Sequence, residues 1–158
     1  MIIAIDPGNI ESAYVIVEND LSKVIEKAKV LNDDLLNDIP RFFKDYQIDH
    51  VAIEMIASYG MAVGATVFDT CVWIGRFYQK FEEFWTKPTF IYRKDEKMCL
   101  CHSMKANDSN IRQALIDRFG VVGVKKNPGY FYGFKKDIWA AMAVAVAFHD
   151  KLEEENNG

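Results

Sequence analysis

The chain has 158 residues, half of them hydrophobic and 13% aromatic, which suits one folded unit with a real core and excludes a disordered protein. No apolar run is long enough to cross a bilayer, and the chain opens on a strand-like segment without a basic leader, so a cytoplasmic protein with no membrane partner is expected. The net charge of −4 is unevenly spread: residues 1–86 carry 7 basic and 14 acidic groups, 87–149 carry 11 and 5, and 150–158 carry 1 and 4.

Ile2-Ile3-Ala4-Ile5-Asp6-Pro7-Gly8 reads as a buried strand that ends in a carboxylate, because proline has no N–H to continue a ladder. Ser12 to Val17 follows closely enough to pair antiparallel with it, forming a hairpin with Asp6 at its mouth. Asp6 either serves a site there or accepts hydrogen bonds within the turn. Lys23 to Leu31 alternates as an edge strand, blunted by Lys27, Lys29 and Glu26. Asp33 to Tyr46 has helical spacing, with a break or fresh start expected at Pro40. His50-Val51-Ala52-Ile53-Glu54 then repeats the first device, an apolar strand closed by a carboxylate.

Residues 65–85 form a helix with more apolar surface than one face can hold. It either lies buried within the monomer or meets the same helix of a second subunit, giving a homodimer. Thr89 to Tyr92 is a last short strand leading to Arg93-Lys94. Asn107-Asp108-Ser109-Asn110 caps a helix that ends near Gly120, so Asp108 reads as a cap and not a catalyst. A basic, aromatic loop from Val121 to Phe134 precedes Asp137, which opens the alanine-rich helix Ile138–Phe148. Residues 1–150 are expected to form the domain, and 151–158 an acidic, frayed tail. Cys71, Cys99 and Cys101 read as reduced thiols, and Cys99-x-Cys101-His102 lacks the second ligand pair a zinc site requires.

Asp6 and Glu54 end apolar strands and Asp137 opens an apolar helix, positions that can converge in an α/β sheet. Asp137 has the alternative of simply capping its helix. Converging carboxylates repel one another unless a cation neutralises them, and an all-oxygen set favours Mg²⁺ or Mn²⁺. Two such ions about 4 Å apart activate water and stabilise a leaving 3′ oxygen, the requirement of phosphodiester hydrolysis.

Ile3-Ala4-Ile5-Asp6-Pro7-Gly8, Val51-Ala52-Ile53-Glu54 and Asp137-Ile138-Trp139-Ala140-Ala141-Met142-Ala143-Val144-Ala145 together resemble the RuvC-type Holliday junction resolvases, especially those of bacteriophages of lactococcal-type Gram-positive hosts. The resemblance implies an RNase H-like, retroviral-integrase-type α/β fold: a mixed five-stranded sheet flanked by helices. It also implies Asp6, Glu54 and Asp137 as catalytic, metal-binding carboxylates, two Mg²⁺ ions per site, and a dimer through the helix 65–85. The family's last motif carries two acidic or histidine positions three residues apart; here Asp137 occupies one, leaving Ala140 or Phe134 in the other.

The expected activity is that of a structure-selective endonuclease on four-way, three-way and other branched DNA. A junction-binding architectural protein and an RNase H-like ribonuclease are the alternatives. Arg93, Lys94, Lys97, Lys105, Lys125, Lys126, Lys135 and Lys136 surround Asp137 in the reading as phosphate contacts, or else form an ordinary solvated surface. Tyr130, Phe131, Tyr132 and Phe134 either stack on unpaired bases or pack their loop onto the core. By family analogy, Tyr59 and Met61 wedge into the junction.

Overall fold

The computed structural model describes residues 1–158. The order of elements is β1 (Ile2–Asp6), β2 (Glu11–Val17), β3 (Val24–Leu31), α1 (Asn32–Asp45), β4 (His50–Met55), α2 (Ala65–Glu82), β5 (Thr89–Tyr92), α3 (Arg93–Cys101), α4 (Asp108–Phe119), the short pair β6 (Gly123–Val124) and β7 (Asn127–Pro128), and α5 (Ile138–Asn157). The main sheet runs β3-β2-β1-β4-β5. Its first three strands form an antiparallel meander, while β4 and β5 lie parallel to β1.

Strand alternation divides the core into two. Ile3, Ile5, Ile16, Val51 and Ile53 face Leu35, Ile39 and Phe42 of α1 and Ile74, Phe77 and Phe81 of α2. Ile2, Ala4, Ala13, Val15 and Ala52 face α5 and Leu115 of α4. The second face is built from small side chains on both sides: alanines of β1, β2 and β4 meet Ala141, Ala143, Ala145 and Ala147 of α5. A helix can therefore seat close to the sheet. In β3 the pairing moves from Ile16 with Glu26 to Val17 with Val24, so Ile25 is an extra residue. This bulge reverses strand parity, which is why Val24 joins the α5 side while Ile25, Ala28 and Val30 join the other.

Several expectations need correction. Pro40 does not break α1: a single helix runs through it, because Leu35, Ile39 and Phe42 are all fully buried on one stripe and their packing outweighs the lost backbone bond. The helix at 65–85 stops at Glu82, and Trp85 stands 98% exposed in a left-handed turn. The acidic tail is not frayed but forms the last turns of α5, with Leu152 packed on the core. Residues 93–101, read only as the exit from a strand, form α3.

Candidate active site

The turn after β1 is closed from behind. Gly8 N–H donates to Ser12 Oγ at 3.1 Å, Ser12 Oγ donates to Asn32 Oδ1 at 2.5 Å, and Asn32 Nδ2 donates to the Gly8 carbonyl at 2.9 Å. A Cβ on Gly8 would come within 2.3 Å of the Glu11 carbonyl oxygen, so only glycine fits this close approach. Because Ser12 and Asn32 satisfy the turn, Asp6 is not consumed by it.

Parallel pairing of β1 and β4 matches Ile3 with Val51, Ala4 with Ala52 and Ile5 with Ile53. The next position on each strand is Asp6 and Glu54. Both share the parity of Ala4 and Ala52 and therefore project on the α5 side. Their side chains hydrogen-bond, and Glu54 in turn contacts Glu96 of α3. Burial pushes all three carboxyls above the usual carboxylate range; Glu54 adds to the rise at Asp6 and Glu96 to that at Glu54, while Arg93 opposes it at each.

Glu96 was not legible as a site residue, yet it is fully buried. Arg93, at the start of the same helix, reaches Glu96 Oε1 at 3.4 Å and also pairs with Asp108. Glu96 Oε2 has no hydrogen-bond partner. The signal that could have found it is the pair Arg93 and Glu96 spaced three apart immediately after a strand, which places the acid on the inner face of a helix beginning beside Glu54. Asp108 leaves the capping role to Asn107, whose side chain and that of Asn110 satisfy each other's backbone N–H groups.

Asp137 stands at the rim. It lies close enough to raise the Asp6 pKa electrostatically, and with Arg93, Asp108, Arg112, Lys136 and Ala140 it lines one cleft. Its carboxylate does not cap α5 but pairs with Lys29 Nζ at 2.6 Å. Lys136, just before it, holds a left-handed backbone at φ 49°. Lys29 and Lys27, read from sequence only as edge-blunting residues, line a groove with Glu11, Lys135 and Lys136 beside Asp137. Lys94, Lys105, Lys125, Lys126, Lys135 and Lys136 are exposed, whereas Arg93 and Lys97 are half-buried. Tyr59 and Met61 are prominent on the loop after β4, at 67% and 74% exposure, and Tyr59 with Arg93 flanks Glu54.

Tyr130 is half-buried: its ring stacks on Phe119 at 5.0 Å and its hydroxyl donates to the Leu21 carbonyl at 2.7 Å, so it packs its loop onto the core. Phe131 and Phe134 are buried, and only Tyr132 of the four aromatics stays exposed.

The carboxylates are closed on one another, and no three of them are splayed as a ready-made metal cage. The donor set nevertheless suits a hard divalent cation: oxygen donors only, net negative, with one buried oxygen on Glu96 left orphaned. Burying these charges without a counter-ion costs several kcal/mol per ion; Arg93 bears on all three of Asp6, Glu54 and Glu96, and Lys29 reaches Asp6 from the rim.

A mixed sheet in the order β3-β2-β1-β4-β5, helices on both faces and acids at the ends of β1 and β4 define an RNase H-like fold. Solved structures share it over nearly the whole chain. RuvC of Thermus thermophilus in complex with a Holliday junction substrate matches with a TM-score of 0.71 at 13% identity, covering 96% of this chain and 94% of that one. Another Thermus thermophilus RuvC structure matches at 0.67 and 16% identity, covering 96% of each chain. A fowlpox virus resolvase in complex with its substrate Holliday junction DNA matches at 0.59 and 15% identity, covering 96% of this chain and 99% of that one. No protein-family model and no curated protein sequence matches the chain.

Proposed function

We propose that this protein is a metal-dependent, structure-selective endonuclease that hydrolyses phosphodiester bonds in four-way and other branched DNA. The observation that carries the reading is the meeting of Asp6 and Glu54 at level strand ends, on a fold shared with proteins solved in complex with Holliday junctions. Asp6, Glu54 and Asp137 would hold Mg²⁺ or Mn²⁺, two ions per site. When bound, the ions supply an activated water and stabilise the leaving 3′ oxygen, so the products carry 5′-phosphate and 3′-hydroxyl ends. Asp137 must exchange its Lys29 partner for this role, which the entering phosphate backbone favours by competing for the lysine. The groove of Lys27, Lys29, Lys135 and Lys136 gives the backbone a track leading to the acids. Tyr59 is exposed beside Glu54, and Met61 stands exposed on the same loop, where they can enter the branch point.

A homodimer is part of the proposal. Phe68 and Val72 of α2 are 60% and 63% exposed, an apolar stripe a second copy would cover. Two equivalent sites would then match the two-fold symmetry of a four-way junction. The sequence likeness to phage resolvases extends the proposal to a phage-borne role acting in the host cytoplasm.

The test is a nicking assay on four-way, three-way, flap and linear DNA with Mg²⁺ or Mn²⁺, comparing the wild type with Asp6→Asn. Cleavage of branched substrates by the wild type, and binding without cleavage by the variant, are expected. Nicking retained by Asp6→Asn would refute the assignment. The architectural reading is favoured by one observation, the engagement of Asp137 with Lys29, and would prevail if the wild type bound junctions without product. Cleavage confined to an RNA–DNA hybrid would establish the ribonuclease reading.

A further inference from the structure

We infer that Glu96, delivered by α3, is a further metal-binding carboxylate of this site. The inference rests on the proposed metal-dependent activity and goes beyond it by adding a ligand from an element that carries none of the three acids named above. Glu96 is completely shielded from solvent, yet it contacts Glu54 and not an apolar neighbour alone. A side chain needed only to fill that space would be leucine or methionine, since burying a carboxylate is unfavourable unless something claims its oxygens.

Arg93 claims one oxygen, and at 3.4 Å only loosely, because the same guanidinium is also engaged by Asp108. The other oxygen, Oε2, is buried with no N–H or hydroxyl donor, and what Glu96 meets besides Arg93 is another acid, Glu54. Orphaned buried oxygens in a group of acids are what a hard cation satisfies. The start of α5 adds to the case: after Asp137 the next residue on the same helical face is Ala140, which lines the same cleft and brings no oxygen. Arg93 then acts as a positioning residue, bracing Glu96 from one side and Asp108 from the other.

The test is Mn²⁺ binding to the full chain, followed by calorimetry and by electron paramagnetic resonance, for the wild type, Glu96→Gln and Asp6→Asn. Thermal stabilisation by Mn²⁺ is a parallel readout independent of cleavage. Glu96→Gln is expected to bind Mn²⁺ at least tenfold more weakly, or to take up one ion fewer, and to show a correspondingly smaller thermal shift. Wild-type affinity and stoichiometry in Glu96→Gln, with binding lost in Asp6→Asn, would overturn the role of Glu96 and leave the nuclease proposal standing. Absence of Mn²⁺ binding by the wild type would overturn both. Should Glu96→Gln not fold, Glu96→Met fills the same volume without a donor, and the same outcomes decide.

Discussion

Replacing Asp6 by Asn should stabilise the metal-free protein even as it abolishes cleavage. Burial, followed by the neighbouring Glu54, raises the Asp6 pKa from 3.8 to about 9. Since the folded value lies above the unfolded one, its contribution to stability is fully present below about pH 3.8 and is lost as pH rises towards 9. Asparagine never ionises and can donate to the Glu54 carboxylate. The whole shift is not recovered, because a polar amide must still be buried there. A gain of about 2 kcal/mol at pH 8 is expected, corresponding to a Tm about 4–8 °C higher for a chain of this size. Urea and thermal unfolding in EDTA between pH 5 and 9 should show the two proteins converging at the acid end and diverging at the alkaline end. Adding Mg²⁺ should raise the Tm of the wild type and leave Asp6→Asn nearly unchanged. Equal stability in EDTA at pH 8, or parallel pH profiles, would refute the view that unneutralised carboxylates strain this site.

Three further outcomes are expected. Glu26 accepts hydrogen bonds from Tyr14, Tyr46 and both terminal nitrogens of Arg41, which lower its pKa from 4.5 to about 2, the Arg41 bond foremost. Glu26→Ala should therefore cost about 1–3 kcal/mol by orphaning the buried Tyr14 hydroxyl, and in urea melts the wild-type advantage should disappear as pH falls from 4.5 towards 2. Phe68→Glu combined with Val72→Glu should leave a folded monomer by light scattering; an unchanged oligomeric state would remove α2 as the dimer surface. Lys135→Ala with Lys136→Ala should weaken binding to every junction sequence alike and reduce the salt-dependence slope by about 2, since each phosphate contact contributes about 0.9.

What was legible in the sequence was whatever depends on neighbours along the chain. The runs Ile2–Ile5 and Val51–Ile53 announced strands, Asp6 and Glu54 their ends, the Asn107–Asn110 cluster a helix start, and the alanines after Asp137 a close-packed helix. The parallel register of β1 with β4 then placed both acids on one face. Other features depended on distant segments. The polar α3 has no apolar stripe to betray it, and Glu96 becomes buried only once β5, α4 and α5 close around α3. Tyr130 could serve either a base or the core until Phe119 and the Leu21 carbonyl took its ring and hydroxyl. Asp137 could cap a helix or join the acids, and Lys29, from the far edge of the sheet, is what holds it at the rim. Residue type and spacing thus determined the strands and their carboxylate ends. Which charged groups lost water and which found partners was decided by tertiary packing, because desolvation and ion pairing depend on proximity in space rather than on order in the chain.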